Sequence, residues 1–227
     1  MSDFTKNNMA TPYFQIFTGE VPSTQDLARE SIKDLPVVVI APSQARGRGR
    51  AGAGWENAPQ ALAVSAAWRP DQDDRRPFSL MAGVAAVRSL PVAIDLKWPN
   101  DLQIGGAKVG GILVEQSGGV AVAGMGLNLF WPDPPEGIGA IDASDPGDEA
   151  HRVIGALWAA TLFELERSTG WPADEYRRSC ATLGREITWA PNGRGIASGI
   201  DDDGSLLVKT SAGVEAIHAG AVRHVRG

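Results

Sequence analysis

Apolar and polar positions change period several times along the chain, and the changes mark its elements. Residues 37–41, Val-Val-Val-Ile-Ala, are apolar without interruption, the pattern of a strand buried on both faces. Runs at 61–68 and 120–129 predict two more core strands, and 13–17 predicts a short first one. A helical spread of apolar residues covers 78–88 and stops at Pro91. Between 149 and 169 Val153, Ile154, Leu157, Trp158, Leu162 and Leu165 recur at helical spacing. A further short helix is expected from 173 to about 183. Another starts at Ser23 or Thr24, either a good N-cap, with Asp26 in the first turn and Leu27, Ala28 and Ile32 behind it. Residues 95–115 read as one strand broken from the next at Pro99-Asn100-Asp101, a hairpin turn at Gly105-Gly106, and a strand opened by Lys108. After Gly184 come short strands at 186–189, 193–200, 206–210 and 214–217, separated by turns rich in Gly, Asn and Asp. The pattern predicts an α+β protein with a mixed β-sheet and helices packed on it over residues 1–184. A small β-barrel over 185–227, too small to be stable alone, should pack on it.

Composition narrows the class. The chain has 227 residues, 43% of them hydrophobic, which is ample for a core. No apolar run reaches the ~18 residues needed to span a bilayer, and residues 1–8 lack a signal-peptide core, so a soluble cytoplasmic protein without membrane contact is expected. A net charge of −6 argues against general nucleic-acid binding, which needs a basic footprint. The single cysteine, Cys180, excludes an internal disulfide and a cysteine metal cluster, and reads as a small buried hydrophobe. Asp201-Asp202-Asp203-Gly204 lacks the ligand spacing of a calcium loop and reads as a hairpin turn.

Against that acidic background one stretch stands out. Ala45-Arg46-Gly47-Arg48-Gly49-Arg50-Ala51-Gly52-Ala53-Gly54-Trp55 places three arginines and four glycines within nine residues, directly after a buried strand. Such a segment is a loop, either a solvated basic turn or an anion-binding loop. Glycines there would expose successive N–H groups, and arginine forks would grip phosphate or carboxylate. Its spacing matches neither common nucleotide fingerprint. Two further positions carry the same ambiguity. Ser23-Thr24-Gln25-Asp26 is a plain helix cap or a polar-ligand site at a helix N-terminus. Lys108 is a solvated lysine or, given the glycine pairs on either side, an ammonium facing a ligand. Gly124 and Gly126 are spaced for close backbone approach.

Taken in order, these segments resemble the biotin protein ligase family. Ser23-Thr24-Gln25, then Gln44 with Gly47-Arg48-Gly49-Arg50 and Trp55, then Lys97-Trp98-Pro99-Asn100-Asp101, then Lys108 through Glu115, then Gly124-Met125-Gly126-Leu127-Asn128 follow that family's motif order. The resemblance covers nearly the whole chain. It implies a biotin/lipoate ligase-like catalytic domain at 1–184 and an SH3-like C-terminal domain at 185–227, in the short form without an N-terminal DNA-binding domain. It implies an ATP-dependent ligase that forms biotinyl-5′-AMP and transfers biotin to a lysine of a biotin carboxyl carrier domain. Biotin is then a substrate, and Mg²⁺ accompanies ATP, held largely through phosphates with no protein metal cage.

By position, the resemblance makes Lys108 the lysine bridging carboxylate and phosphate. Arg48 and Arg50, with Gly47 and Gly49, would hold the acyl-phosphate linkage. Ser23, Thr24, Gln25 and Gln44 would bind the ureido ring, Trp55 would close over the ligand, and Gly110 and Gly111 would line it. Asn100, Asp101 and Asn128 would serve the nucleotide. The chain departs from the family at Ala51 and Ala53, where basic residues are common, at Arg46, and at Gln25 in place of asparagine. Two alternatives stay open: a ligase or transferase for lipoate or another acyl acid, because lipoate and octanoyl transferases share this catalytic fold, and, with fewer cations near the triphosphate, a noncatalytic relative that binds acyl ligands with weakened ATP use. A homodimer is an assembly the sequence leaves open.

Overall fold

The computed structural model describes residues 12–52, 54–147, 149–218, 220 and 222–225; the polar leader at 1–8 and Ala53 lie outside them. Two strands expected to be core, β2 (Val37–Ala41) and β3 (Gln60–Trp68), pair antiparallel within a seven-stranded sheet. On one side β1 (Phe14–Phe17) joins β2 in parallel. A parallel pair cannot be joined by a tight turn, and helix α1 (Thr24–Ser31) makes the crossover. On the other side of β3 lie β7 (Val120–Phe130), β6 (Ala107–Ser117), β5 (Asp101–Ile104) and β4 (Asp95–Lys97), each antiparallel to its neighbour.

The two faces of this sheet are covered differently. α2 (Phe78–Ser89) and α3 (Ala150–Arg167) pack on one face over a continuous apolar core that includes Ile40, Leu62, Met81, Leu127, Trp158 and Leu162, all buried. That burial, at about 25 cal/mol per Å² of apolar surface, is the main stabilising term of the domain. Among the described residues, the helix on the opposite face is the two-turn α1, seated on Val37, Val39, Ala67 and Val122 through Ala28. Ser23 caps α1, its Oγ accepting from the Asp26 N–H. At the other end Arg29 donates to the carbonyls of Glu115 and Ser117, tying α1 to the β6–β7 hairpin. Beyond α1 this face is left open over β3, β7, β6 and β5.

The helix expected at 173–183 is shorter, α4 (Ala173–Ser179). It ends because Cys180 leaves helical geometry to bridge Leu96 of β4, with the Ala181 N–H on the Leu96 carbonyl at 2.9 Å. Cys180 itself is buried. The C-terminal part forms a second antiparallel sheet in the order β11 (Gly213–Ile217), β10 (Leu206–Thr210), β9 (Gly193–Ile200), β8 (Glu186–Trp189), β12 (Val222–His224). β12 is too short to show a period in the sequence. Among the described residues no pairing of β11 with β12 closes this sheet into a barrel. It docks on the large sheet at the 201–204 turn, where Trp98 Nε1 donates to the Gly204 carbonyl at 3.0 Å and Arg177 donates to the Ile200 carbonyl at 2.7 Å.

Candidate active site

The open face of the large sheet carries one row of residues paired across five strands. Ala63 of β3 stands opposite Gly126 of β7, Gly126 opposite Gly111 of β6, Gly111 opposite Asp101 of β5, and Asp101 opposite Lys97 of β4. Residues directly opposite share a face. Small residues in the middle of the row leave a floor without side chains, and a cavity of about 340 Å³ opens above it.

The lysine reaches that floor through an irregularity. Strict alternation would put Lys108 and Gly110 on one face and Gly111 on the other. The β5–β6 register shifts instead, with Leu102 opposite Gly110 and Gln103 opposite Lys108, so Val109 is an extra residue in β6. This β-bulge re-aims one side chain and brings Lys108 to the face of Gly111. A Cβ built on Gly111 would lie 3.7 Å from Lys108 Nζ. Asn100 braces the spot, donating through Nδ2 to the Ile112 carbonyl and accepting the Ile112 N–H on its own carbonyl. Lys108 Nζ pairs with Asp101 Oδ1 at 2.7 Å and sits 5.8 Å from the centre of the Trp55 ring.

A buried polar cluster forms the inner end. Ser23, Thr24, Gln25 and Ser65 are all within 6% of full burial. Gln44 Oε1 accepts from the Thr24 N–H at 2.7 Å and the Thr24 hydroxyl at 3.0 Å, and that hydroxyl meets Ser65 Oγ at 2.8 Å. Gln25 Nε2 donates to the Leu113 carbonyl at 3.0 Å, while its Oε1 is buried without a partner. An unpaired buried acceptor costs about 1–3 kcal/mol, and a ligand N–H would recover it. Gly124 makes room for this longer amide: a Cβ there would come within 3.0 Å of Gln25 Nε2.

The basic loop closes the top. Gly47 and Trp55 are joined by the Trp55 N–H on the Gly47 carbonyl, and Arg48 bridges Gly54, so the segment folds back on itself. Trp55 lies flat over Gly126, where a Cβ would fall 2.8 Å from the indole. Arg48 projects to the cavity mouth and is gripped by Asp26, both terminal nitrogens at 2.7 Å, with Glu115 Oε2 at 3.5 Å. The guanidinium holds the Asp26 carboxyl below its ordinary range, and Asp26 in turn raises Arg48. Arg50 donates to the Gly220 carbonyl, so the C-terminal sheet reaches the same rim.

Most residues singled out in the sequence therefore meet. Lys108, Arg48, Arg50, Ser23, Thr24, Gln25, Gln44, Gly49, Trp55, Gly111, Asn100 and Asp101 all line the cavity. Three do not. Gly47 lies beneath Trp55, its Cβ position 3.0 Å from Trp55 Cβ. Gly110 faces away by ordinary alternation from Gly111, and a Cβ there would strike the Gly126 carbonyl at 2.7 Å and Leu127, so that glycine serves strand packing. Asn128 is buried with Nδ2 on the Gly139 carbonyl, bracing the 131–147 loop rather than facing the cavity. The sequence reading missed Ser65, Asp26, Glu115 and Lys97. Asp26, Lys97 and Glu115 stood inside motifs, yet nothing local marks Ser65 as lining the cavity or the other three as pairing with residues that do.

The chemistry available is directional: neutral hydrogen-bonding groups at one end, Lys108 with two arginines at the other, and one carboxylate, Asp101, on the wall. Such a cavity fits a small molecule with a polar head and an anionic tail next to a phosphate. No three His, Cys, Asp or Glu among the described residues are grouped to hold a metal. A divalent ion there would depend on phosphate oxygens, with Asp101 the protein carboxylate within reach.

Two family models match the chain: the "Biotin/lipoate A/B protein ligase family" over residues 19–129 and the "Biotin protein ligase C terminal domain" over 182–225. The biotin–[acetyl-CoA-carboxylase] ligase of Mycobacterium tuberculosis is 31% identical over 211 residues, covering 84% of this chain and 79% of that protein. The enzyme of the same name from Paracoccus denitrificans is 30% identical over 213 residues, covering 81% and 88%. Among solved structures, the biotin protein ligase of Aquifex aeolicus in complex with biotin and ATP superposes with a TM-score of 0.78 at 24% identity, covering 94% of this chain and 99% of that one.

Proposed function

The chain belongs to the biotin protein ligase family, and from that premise we propose that it is an ATP-dependent biotin–protein ligase. It joins biotin to AMP and passes the biotinyl group to a lysine of a carboxylase's biotin carboxyl carrier domain. The protein acts in the cytoplasm.

The observation that carries this reading is the single cavity with a neutral polar end and a cationic end, spanned by a glycine floor. The ureido ring has two N–H donors and one carbonyl acceptor. Gln25 Oε1 offers the unpaired acceptor, and the hydroxyls of Ser23, Thr24 and Ser65 with the Gln44 amide complete the set. The ring lies over Gly124, and Trp55 shields the chain of the acid from water. Its carboxylate then points to Lys108.

In the first step a carboxylate oxygen attacks the α-phosphorus of ATP, forming a C–O–P linkage while the bond to the β-phosphate oxygen breaks and pyrophosphate leaves with the electron pair. Two anions must be held together. The Lys108 ammonium lowers their repulsion, and Arg48 with Arg50 stabilises charge growing on the phosphoryl oxygens. Arg48 must exchange its Asp26 partner for phosphate to do so. When bound with ATP, Mg²⁺ neutralises the phosphates, and Asp101 with Asn100 is placed to hold that end of the nucleotide. In the second step the neutral acceptor amine attacks the acyl carbon, the acyl C–O bond breaks, AMP leaves as an oxyanion beside Lys108 and the arginines, and the amine's proton is lost to water. Water exclusion by Trp55 and the folded loop keeps the mixed anhydride from hydrolysis.

The test is incubation of the protein with biotin, Mg-ATP and a biotin carboxyl carrier domain. Pyrophosphate release and mass addition of one biotinyl group on the acceptor are expected; neither would appear if the acid or the reaction class were misassigned.

A further inference from the structure

The loop that covers the phosphates carries alanine at positions 51 and 53, so its cations end with Arg50. Lys108, Arg48 and Arg50 serve the carboxylate and α-phosphate. An ATP molecule brings two further phosphates, and the leaving pyrophosphate gains negative charge as its bond to the α-phosphorus breaks. That charge needs a partner elsewhere.

Lys97 is the residue placed to meet it. It ends the row Ala63–Gly126–Gly111–Asp101–Lys97, so it stands on the cavity's face at the outer strand. Two strand spacings, about 10 Å, separate its backbone from the Gly111 floor. Its four-carbon stem shortens that gap. Its Nζ lies 3.9 Å from Asp101 Oδ2, on the far side of the carboxylate that pairs with Lys108 at 2.7 Å. Two ammonium groups thus flank one carboxylate, and the set has a net charge of +1. Lys97 lies just outside the residues that line the cavity, behind Asp101, and its side chain is 24% exposed and open to a ligand. The junction beyond it is also basic. His224 Nε2 meets Thr182 Oγ1, and that hydroxyl accepts the Trp98 N–H, which places the imidazole beside β4. Burial, then repulsion by Lys97 and Arg185, holds His224 below the usual histidine range, so both cations converge there.

We propose that Lys97 binds the terminal phosphates of the nucleotide and the departing pyrophosphate. This rests on the ligase reading above and adds a residue and a phosphate subsite to it.

The experiment compares wild type, Lys97→Gln and Lys97→Arg. Lys97→Gln leaves Asp101 paired with Lys108. Losing one charge-assisted contact should raise the KM for ATP and weaken calorimetric binding of pyrophosphate by roughly 10- to 100-fold. Affinity for biotinyl-5′-AMP, which has a single phosphate, and transfer from that preformed adenylate should change less than about twofold. Lys97→Arg should recover most of the ATP affinity. The proposal is overturned if Lys97→Gln leaves ATP and pyrophosphate binding unchanged, or if it weakens the adenylate as much as ATP, which would mark a structural role. Wild type that makes no biotinyl-AMP would refute the ligase reading instead, and calorimetry with pyrophosphate would still decide the role of Lys97.

Discussion

The two faces of the large sheet are built from the same strands and do opposite work. On the α2–α3 face, Ile40, Leu62, Leu127 and Leu129 are buried against two helices. On the other face, alternate residues of the same strands are Ala63, Ser65, Gly124 and Gly126, and space is left above them. Alternation lets one strand hold both sets: β7 buries Met125 and Leu127 on one side while Gly124 and Gly126 face the cavity. The packed face supplies stability, and the vacant face applies it, because a floor without side chains keeps its shape only when rigidly backed. Most polar groups on the vacant face are paired with one another, and Gln25 Oε1 is buried there without a partner.

Substitutions on either face should separate these roles. The largest effect is expected at Lys108→Ala, which removes the ammonium between the two anions. Adenylate formation should fall by about 10³-fold or more, about 4 kcal/mol of barrier. Thermal unfolding should be nearly unchanged, because Lys108 is partly exposed and packs in no core. A large drop in melting temperature would show that the lysine is structural.

Leu62→Ala, on the packed face of β3, should do the reverse. Leu62 is 1% exposed, and truncating a buried leucine costs about 2–5 kcal/mol by denaturant titration. Activity per folded molecule should hold. If activity falls while stability does not, the packed face is not the passive backing described here.

Gly126→Ala tests the floor itself. The added methyl would meet the Trp55 indole at 2.8 Å, and overpacking of this kind costs about 1–3 kcal/mol. The indole is the far end of a loop side chain, so the cost should fall on loop closure: about tenfold weaker adenylate binding and faster proteolysis in the 46–56 loop, with the fold retained. Unchanged loop protection would mean Trp55 does not close on this glycine.

The smallest effect concerns another arginine–aspartate pair, Arg76 with Asp74, which contrasts with Arg48 and Asp26. Arg48 is 39% exposed at a cavity, whereas Arg76 is 19% exposed and also donates to the carbonyls of Glu166 and Ser168 at the end of α3. One pair is placed to open, the other to stay. Arg76 holds the Asp74 carboxyl below its ordinary value of about 3.8. Its stabilisation is therefore fully present above that value and lost as pH falls through the lower folded one. Asp74→Asn should flatten the acid limb of a stability–pH curve below about pH 4 and leave catalysis at neutral pH alone. An unchanged acid limb would mean the pair contributes nothing to folding.

Much of this was legible from residue order. Apolar runs marked β2, β3 and β7, and helical spacing marked α2 and α3, because burial selects side chains locally. The arginine–glycine loop, the Ser23–Gln25 cap and Lys108 each carried a local oddity that pointed to a ligand. What only the tertiary structure decided is which side chains face one another. Val109's bulge carries Lys108 to the face of Gly111, a buried amide takes Asn128 out of the cavity, and the register of β4 on β5 carries Lys97 to the same face as Gly126. Asp26 meets Arg48 only because the α1 crossover brings its first turn beneath the loop. Periodicity is set by each residue's own neighbours along the chain. Register, bulges and cross-strand pairs are set by hydrogen bonds between segments far apart in it, and no local pattern records them.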